Sequence, residues 1–222
     1  MRCVIVTGGP LPSKAADVIR GFAGEPDTKI IACDSGCDFL ASVNIIPSVV
    51  IGDMDSITGD GLEFIGANNI PVEKYPVEKD WTDTEIALMK TNINDEVILV
   101  CPVSGRIDHV IANLGLVIKY RSEGRKITVT DGITYCFPLS GEDRAECDVS
   151  SYNDEASVSL IPGSFDTPVT GVTTEGLYYP LTDATLIAGS SFSFSNHPEK
   201  GAKKIAVSIK SGKLLLVVTK AV

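Results

Sequence analysis

Ser48-Val49-Val50-Ile51-Gly52-Asp53-Met54-Asp55-Ser56 places two carboxylates directly after a short apolar run. The β-branched residues predict a buried strand, so Asp53 and Asp55 follow a strand end. In an extended backbone both side chains would face one point, with their Cα atoms roughly 7 Å apart. Such a pair can hold a hard divalent ion such as Mg²⁺, which prefers oxygen ligands. The alternative is a solvated acidic turn, because Gly-Asp and Asp-Ser pairs also favour turns.

The segments on both sides of this run alternate between strand-like and helix-like patterns. The predicted strands cover residues 3–6, 29–33, 48–51, 97–101 and 126–130. The predicted helices cover residues 13–22, 36–44, 61–67, 83–90 and 108–122. This alternation is typical of right-handed crossover units on a mostly parallel sheet. We therefore expect a Rossmann-like α/β domain over residues 1–132.

Polar or glycine-containing loops follow four of these strands. They are Thr7-Gly8-Gly9-Pro10, Asp34-Ser35-Gly36, Gly52-Asp53-Met54-Asp55 and Pro102-Val103-Ser104-Gly105-Arg106. In an open α/β sheet, ligands bind beyond the carboxyl ends of the strands, so we expect these loops to share one rim. Ordinary turns are the alternative, since every strand ends in one.

Short β-rich runs replace the helical pattern after about residue 132. They cover residues 133–139, 156–161, 169–173, 176–181, 185–188, 192–194, 204–209 and 213–219. Ser211-Gly212 between the last two is a hairpin signal. We therefore expect a second domain over residues 133–222, an antiparallel β-sandwich.

The composition narrows the class of protein. The chain has 222 residues, 44% of them hydrophobic and 22% charged, as in ordinary globular proteins. Its net charge of −10 argues against a nucleic-acid or membrane-surface partner. Six scattered cysteines without a Cys-x-x-Cys pair predict buried, reduced thiols. With no signal peptide and no apolar run of about 20 residues, we expect a cytoplasmic protein.

Two motifs precede predicted helices. In Lys79-Asp80-Trp81-Thr82-Asp83-Thr84-Glu85, a capping box and the helix dipole account for Thr82, Asp83 and Glu85, but Asp80 lies outside the helix. Asp80 and Asp83 are candidate metal ligands, and an ordinary helix start is the alternative for Asp83.

Gly105-Arg106-Ile107-Asp108-His109 opens the longest predicted helix. An arginine fork with free backbone N–H groups at a helix start favours a phosphate, although Asp108 also suits a helix cap. His109 and Asn113 lie on the less apolar side, where they line a cleft or face water. The apolar residues predict a buried stripe of Val110, Ile111, Leu114, Val117 and Ile118.

Serine alternates with phenylalanine over residues 190–195, before Asn196. In a strand, Phe192 and Phe194 would be buried while Ser191, Ser193 and Ser195 share the opposite face. Such a hydroxyl row suits a small ligand rich in ring nitrogens, and a plain half-buried strand is the alternative.

Together these stretches resemble thiamine pyrophosphokinases over nearly the whole chain. The matching residues are Asp34 with Gly36, Gly52 to Ser56, Lys79-Asp80 with Thr82-Asp83, Gly105-Arg106 with Asp108-His109, Gly176-Leu177 with Tyr179-Pro180-Leu181, and Ser193 with Ser195-Asn196. Each motif is weak alone, but six in order are specific. The chain departs from the pattern at Val103-Ser104, where the family often has a further glycine.

The resemblance implies an α/β domain joined to a β-sandwich, and a homodimer with its sites near the subunit interface. It implies a Mg²⁺-dependent enzyme that transfers the terminal pyrophosphate of ATP to thiamine, giving thiamine diphosphate and AMP. The alternatives are a pyrophosphokinase for another hydroxymethyl heterocycle, such as a pterin, and a non-catalytic nucleotide or thiamine sensor.

The resemblance also implies a role for each motif. The expected metal ligands are Asp53, Asp55, Asp80 and Asp83. Residues expected around ATP are Asp34, Arg106, Asp108 and His109. Residues expected to contact thiamine are Ser193, Ser195, Asn196 and Tyr179, the last by stacking on the cationic ring. Catalysis is expected from Asp53, Asp55, Asp83 and Arg106, with Asp83 as the candidate acceptor of the hydroxyl proton.

Overall fold

The computed structural model describes residues 1–152 and 155–220. The chain divides into two compact units, Met1–Asn113 with Arg125–Ile133, and Leu114–Gly124 with Thr134–Val222. None of the helices in the described ranges is long and apolar enough to cross a membrane.

The first unit contains a parallel sheet with the strand order β4-β3-β2-β1-β5-β6. Its strands are β1 (Arg2–Val6), β2 (Thr28–Cys33), β3 (Val49–Gly52), β4 (Val72–Lys74), β5 (Glu96–Val100) and β6 (Lys126–Thr130). The helices are α1 (Lys14–Ala23), α2 (Gly36–Ser42), α3 (Gly59–Ala67), α4 (Asp83–Met89) and α5 (Ile107–Ser122), whose residues from Leu114 onward belong to the second unit. The α/β prediction is confirmed.

Burial of β-branched side chains explains why the strands form. Val4, Ile30, Val50 and Ile98 of the sheet pack in one core cluster with Ile19 of α1. Each fully buried side chain of this size contributes about 1.5–3 kcal/mol through the hydrophobic effect. The sequence pattern does not predict strand β4, because this strand has only three residues and none of them is buried.

Helix α5 departs from its predicted buried stripe. Val117 and Tyr120 are buried, whereas Ile111 is 63% exposed. The helix carries apolar side chains around most of its circumference, so their spacing alone does not identify the buried face. The prediction that Ile111 is buried was therefore wrong.

The second unit is a sandwich of two antiparallel sheets, as predicted. One sheet has the order β7-β13-β9 and the other the order β11-β10-β12-β8. The strands are β7 (Thr134–Ser140), β8 (Asp143–Asp148), β9 (Ala156–Pro162), β10 (Val169–Glu175), β11 (Ala184–Leu186), β12 (Lys204–Ile209) and β13 (Lys213–Lys220). Leu160 and Leu216 of the first sheet pack in one core cluster with Val172 and Val207 of the second.

Three details of the second unit correct the sequence-based predictions. Residues 176–181 do not form a strand, and Leu177 makes only an isolated bridge to Pro198. Residues 192–194 form a turn, because Ser193 and Ser195 have φ values of 77° and 55°, which a strand cannot accommodate. Ser211-Gly212 connects the two sheets and does not close a hairpin, since β12 and β13 pair with different strands.

The turn at residues 192–194 also changes which side chains are buried. Phe192 and Phe194 are 58% and 45% exposed, so the predicted burial of both rings was wrong. Strand β8 was missed because charges dominate it, although Ala145 and Cys147 face inward at the two-residue period of a strand.

All six cysteines lie in the described ranges, are buried and form no disulfide bond there, which agrees with their prediction as reduced thiols. Burial raises the pKa of Cys37 and of Cys147 to about 11, so these thiols are protonated near neutral pH.

Gly36 offers a test of how closely α2 approaches β1. A Cβ atom at Gly36 would meet the backbone carbonyl groups of Val6 and Thr7, which cannot rotate away. We expect Gly36→Ala to lower the free energy of unfolding by about 2–3 kcal/mol through overpacking, measured by chemical denaturation.

Gly24→Ala is the matched control, because its Cβ would have no neighbour within 4 Å and its φ of −98° suits alanine. We expect the control to change stability by less than about 1 kcal/mol. Equal midpoints for the two variants would contradict the close approach.

Candidate active site

A cleft of about 650 Å³ opens in the first unit. Its walls come from the loops after β1, β2, β3 and β5, and from the first turns of α4 and α5. The lining residues are Thr7, Gly8, Gly9, Pro10, Cys33, Asp34, Ser35, Ser56, Thr82, Asp83, Thr84, Pro102, Ser104, Gly105, Arg106, His109, Val110 and Asn113. Three of the four loops expected to share one rim therefore line one cleft, whereas the loop Gly52-Asp53-Met54-Asp55 does not line it and only the following residue, Ser56, does.

Parallel pairing of β2 with β3 brings Asp34 close to the loop that carries Asp53 and Asp55. Cys33 pairs with Ile51, and the Asp34 amide donates to the Ile51 carbonyl oxygen at 2.8 Å. A Cβ at Gly52 would lie 3.0 Å from the Asp34 Cβ, so glycine at this position permits the approach. The two strand ends are held within side-chain reach of each other.

Asp53 and Asp55 converge through a turn, which corrects the prediction of an extended backbone. Strand β3 ends at Gly52, and Met54 between the two aspartates has a φ of 72°. The Asp55 amide donates to Asp53 Oδ1 at 3.1 Å, the pattern of an Asx turn. The Met54 side chain packs against the core of the unit, which helps to hold this left-handed conformation.

Asp34, Asp53 and Asp55 form a group that can hold a metal ion. One carboxylate oxygen from each lies within 4.8 Å of the others. Asp34 Oδ2 accepts from the Ser56 hydroxyl, whereas Asp34 Oδ1 is buried without a hydrogen-bond donor among the described residues. A buried carboxylate oxygen without a donor is costly, and a cation would supply the missing partner. The donor set of three hard oxygens fits Mg²⁺.

The pKa values of Asp53 and Asp55 shift in opposite directions. The Asp55 amide, together with Lys79, holds the pKa of Asp53 below its usual range. The neighbouring Asp53 carboxylate raises the pKa of Asp55 above its usual value. Placing a divalent ion between the two side chains would relieve this repulsion.

Asp83 and Asp80 occupy different environments. Asp83 begins α4, where the Thr82 hydroxyl caps the helix by accepting from the Glu85 amide at 3.2 Å, as the capping box predicted. Burial raises the pKa of Asp83, and the nearby Lys79 offsets part of the rise. Asp80 is exposed and is not a member of the three-aspartate group.

Lys79 was not selected as a site residue by sequence analysis. Its Nζ atom donates to Asp53 Oδ2 at 3.1 Å and lies 3.4 Å from Asp83 Oδ1. Its position directly before Asp80, in a motif already singled out, was the available signal. No local pattern, however, reveals contact with Asp53, which is 26 residues earlier.

Arg106 and Asp108 form an exposed bidentate pair at the start of α5. Arg106 Nε donates to Asp108 Oδ1 at 3.2 Å, and its terminal nitrogen donates to Oδ2 at 2.5 Å. Arg106 lowers the pKa of Asp108 to about 2. Arg106 and His109 line the cleft, whereas Asp108 is engaged with the guanidinium.

The expected thiamine contacts lie in the second unit. Ser193 Oγ donates to the Leu160 carbonyl oxygen at 3.0 Å, and the Ser195 amide donates to Ser159 Oγ at 3.1 Å. Tyr179 is 62% exposed and packs edge-on against Tyr178, with ring centroids 4.8 Å apart.

Asn196 is buried, and its side-chain amide forms hydrogen bonds with the backbone of this unit. Oδ1 accepts from the amides of Tyr179 and His197, and Nδ2 donates to the Tyr179 carbonyl oxygen at 2.7 Å. The side chain therefore fixes the segment that carries Tyr179.

Comparison with known proteins assigns both parts of the chain. Residues 25–129 match the family model described as thiamin pyrophosphokinase, catalytic domain. Residues 146–214 match the model described as thiamin pyrophosphokinase, vitamin B1 binding domain.

Individual proteins show the same likeness. A thiamine pyrophosphokinase of Bacillus subtilis (strain 168) is 30% identical over 198 residues, which cover 86% of this chain and 87% of the relative. Thiamine pyrophosphokinase 1 of Arabidopsis thaliana is 27% identical over 158 residues, 68% of this chain and 58% of the plant protein.

Two solved structures align with the whole of this chain. The B. subtilis thiamine pyrophosphokinase structure has a TM-score of 0.81 at 25% identity, and all of that chain is covered. The thiamin pyrophosphokinase structure from Geobacillus thermodenitrificans has a TM-score of 0.79 at 28% identity, with 98% of that chain covered. With both domain models and a relative of almost full length in agreement, the chain belongs to the thiamine pyrophosphokinase family.

Proposed function

We propose that the protein is a thiamine pyrophosphokinase, which transfers the β,γ-pyrophosphoryl group of ATP to the hydroxyethyl oxygen of thiamine and releases AMP. The observation that carries this proposal is the Asp34, Asp53 and Asp55 group in a chain matched by both domain models of the family. The family match lends no support to a pterin pyrophosphokinase or to a non-catalytic sensor.

ATP is the proposed occupant of the cleft in the first unit. Arg106 supplies a planar guanidinium that can donate two hydrogen bonds to a phosphate, and a helix start such as that of α5 favours an anion. Arg106 is 72% exposed and its ion-pair partner Asp108 is 60% exposed, so a phosphate can compete for the guanidinium donors. Asp34 and His109, expected to lie around the nucleotide, both line this cleft.

Mg²⁺ is the proposed metal, with Asp34, Asp53 and Asp55 as its protein ligands. When bound, the ion would neutralise charge on the pyrophosphate oxygens, which grows as the bond to AMP breaks. The residues of the chain contribute by fixing three hard oxygen donors next to the cleft. Asp80 and Asp83, the other ligands implied by the resemblance, stay predictions.

Asp83 is the proposed acceptor of the proton from the thiamine hydroxyl. Its pKa is raised by burial, and a carboxylate whose pKa lies nearer to neutrality is a better base. Asp83 also lines the cleft and begins a capped helix, so its position is fixed.

Thiamine is the proposed ligand of the second unit. The exposed ring of Tyr179 offers a π face to the cationic thiazolium ring, and the hydroxyl groups of Ser193 and Ser195 offer polar contacts. Because the Asn196 amide is engaged with the backbone, we assign it the task of holding the Tyr179 segment.

The proposed quaternary state is a homodimer. Support comes from exposed apolar side chains in the second unit, where Phe165, Ile187, Phe192 and Phe194 are between 45% and 93% exposed. Six cysteines without a disulfide bond in the described ranges favour a reducing compartment and so support the proposed cytoplasmic location.

The reaction is tested by incubating the protein with ATP, Mg²⁺ and thiamine and separating the products chromatographically. We expect thiamine diphosphate and AMP to form in equal amounts. ADP with thiamine monophosphate would instead indicate an ordinary kinase, and no thiamine-dependent product would contradict the proposal.

Asp55→Asn tests the acidic group within that assay. We expect turnover to fall by a factor on the order of 10²–10³, because one oxygen ligand loses its charge. Asp55 is exposed, so the fold should be unchanged by circular dichroism. Full activity in this variant would overturn its role as a ligand.

Mg²⁺ should stabilise the protein in the absence of nucleotide. At ten times the dissociation constant, we expect the melting temperature to rise by about 3–6 °C, because the ion binds only the folded chain. Asp34→Asn should abolish the rise, whereas Asp60→Asn, at an exposed aspartate of α3, should preserve it. A rise of the same size in Asp34→Asn would remove Asp34 from the ligand set.

Phe192→Glu tests the proposed dimer by light scattering after gel filtration. We expect the unmodified protein to have about twice the chain mass of 23.5 kDa, and the variant to shift toward the monomer because a buried charge opposes association. A monomeric unmodified protein would contradict the dimer.

A further inference from the structure

Lys79 lies between the carboxylates of Asp53 and Asp83. It lies in the loop between β4 and α4, and its side chain is only 13% exposed. Its Nζ atom donates to Asp53 Oδ2 and to the Pro76 carbonyl oxygen, each at 3.1 Å, and lies 3.4 Å from Asp83 Oδ1. The ammonium group is therefore fixed by its own loop and by two acidic side chains.

The two oxygens of Asp53 have different partners. Oδ1 accepts from the Asp55 amide, while Oδ2 accepts from Lys79. Asp53 thus belongs to the group formed with Asp34 and Asp55 and also shares the Lys79 ammonium with Asp83. Sites with two metal ions commonly use one carboxylate in this shared manner.

We propose that Lys79 takes the place of a second divalent ion beside the group formed by Asp34, Asp53 and Asp55. Its ammonium group neutralises part of the negative charge of Asp53 and Asp83, so that the nucleotide-free protein binds a single ion at Asp34, Asp53 and Asp55. The inference rests on the proposed function, which assigns a divalent ion to those three residues. Lys79 is accordingly a positioning residue, which holds Asp53 and Asp83 without occupying the cleft.

The charges explain why a lysine suits this position. Asp34, Asp53, Asp55 and Asp83 bring four carboxylates together, and a fixed ammonium balances part of that charge whether or not metal is present. A second divalent ion would have to displace Nζ from Asp53 and would be repelled by it at short range. Without the ammonium group, the negative charges of Asp53 and Asp83 would be unbalanced, and the oxygens that contact Lys79 would be available to a cation.

The number of ions bound distinguishes this role from that of an ordinary stabilising ion pair. A purely structural lysine would affect the amount of folded protein and its melting temperature, but not the count of ions bound by the folded fraction. The proposed role predicts a larger count after the lysine is removed.

The experiment titrates Mn²⁺ into the nucleotide-free, full-length protein and measures the concentration of free Mn²⁺ by electron paramagnetic resonance. The number of ions bound per chain follows by difference. We expect about one ion per chain for the unmodified protein and about two for Lys79→Met, because the Asp53 and Asp83 pair becomes a second site. Lys79→Arg, which keeps the positive charge, should return the count to about one. Lys74→Met, at an exposed lysine that ends β4, is the matched control and should also bind about one.

The outcomes decide between the roles without reference to turnover. A single ion in Lys79→Met would overturn the inference, and so would two ions or none in the unmodified protein. Lys79→Gln keeps an amide donor for Asp53 and carries the same expectation of a second ion if the methionine variant does not fold. Because neither ATP nor thiamine is present, failure of the transfer reaction would leave the ion count unaffected and would be recognised separately.

Discussion

Repulsion between carboxylates at the ends of neighbouring strands is the constraint around which the first unit is built. Asp34, Asp53 and Asp55 would separate in a flexible chain, yet their oxygens lie within 4.8 Å of one another. The parallel pairing of β2 with β3 fixes the backbone beneath them, and burial of Val50 and Ile51 makes that pairing favourable. Free energy gained in the core thus holds an arrangement that electrostatics alone would disperse.

The cluster also shows why a local hydrogen bond matters more than its own strength suggests. The Asp55 amide turns toward Asp53 Oδ1, which orients one carboxylate while the chain reverses at Met54. A net contribution of about 1 kcal/mol is typical of such a bond. Here it also leaves the other oxygen of Asp53, Oδ2, to accept from Lys79.

Sequence patterns predicted the parts of the fold that depend on local chemistry. The β-branched runs identified β1, β2, β3, β5 and β6, and Thr82 with Glu85 identified the start of α4. The pattern failed at residues 192–194, because alternation of Ser and Phe carries no information about a positive φ. It also failed at Ser211-Gly212, since a short connection with a glycine looks the same whether it joins neighbouring strands or two sheets.

The candidate site was likewise predicted only where its residues lie close together in the sequence. Asp53 and Asp55 were found because they lie two positions apart in the sequence, whereas Asp34 is brought close to them through the pairing of β2 with β3. The contact of Lys79 with Asp53 depends on a loop that returns from β4, and β4 itself has no strong signal. The buried amide of Asn196 was recognised as a polar residue, but its engagement with the Tyr179 backbone depends on tertiary structure.

Met54 joins two properties of the molecule that are usually treated apart. Its backbone forms the reversal between Asp53 and Asp55, and its side chain packs against the hydrophobic cluster beneath the sheet. If the proposed metal site is correct, ion affinity and core rigidity are thermodynamically linked through one residue. A bound cation should then slow hydrogen exchange in β3, and a loosened core should weaken ion binding even when every carboxylate is intact.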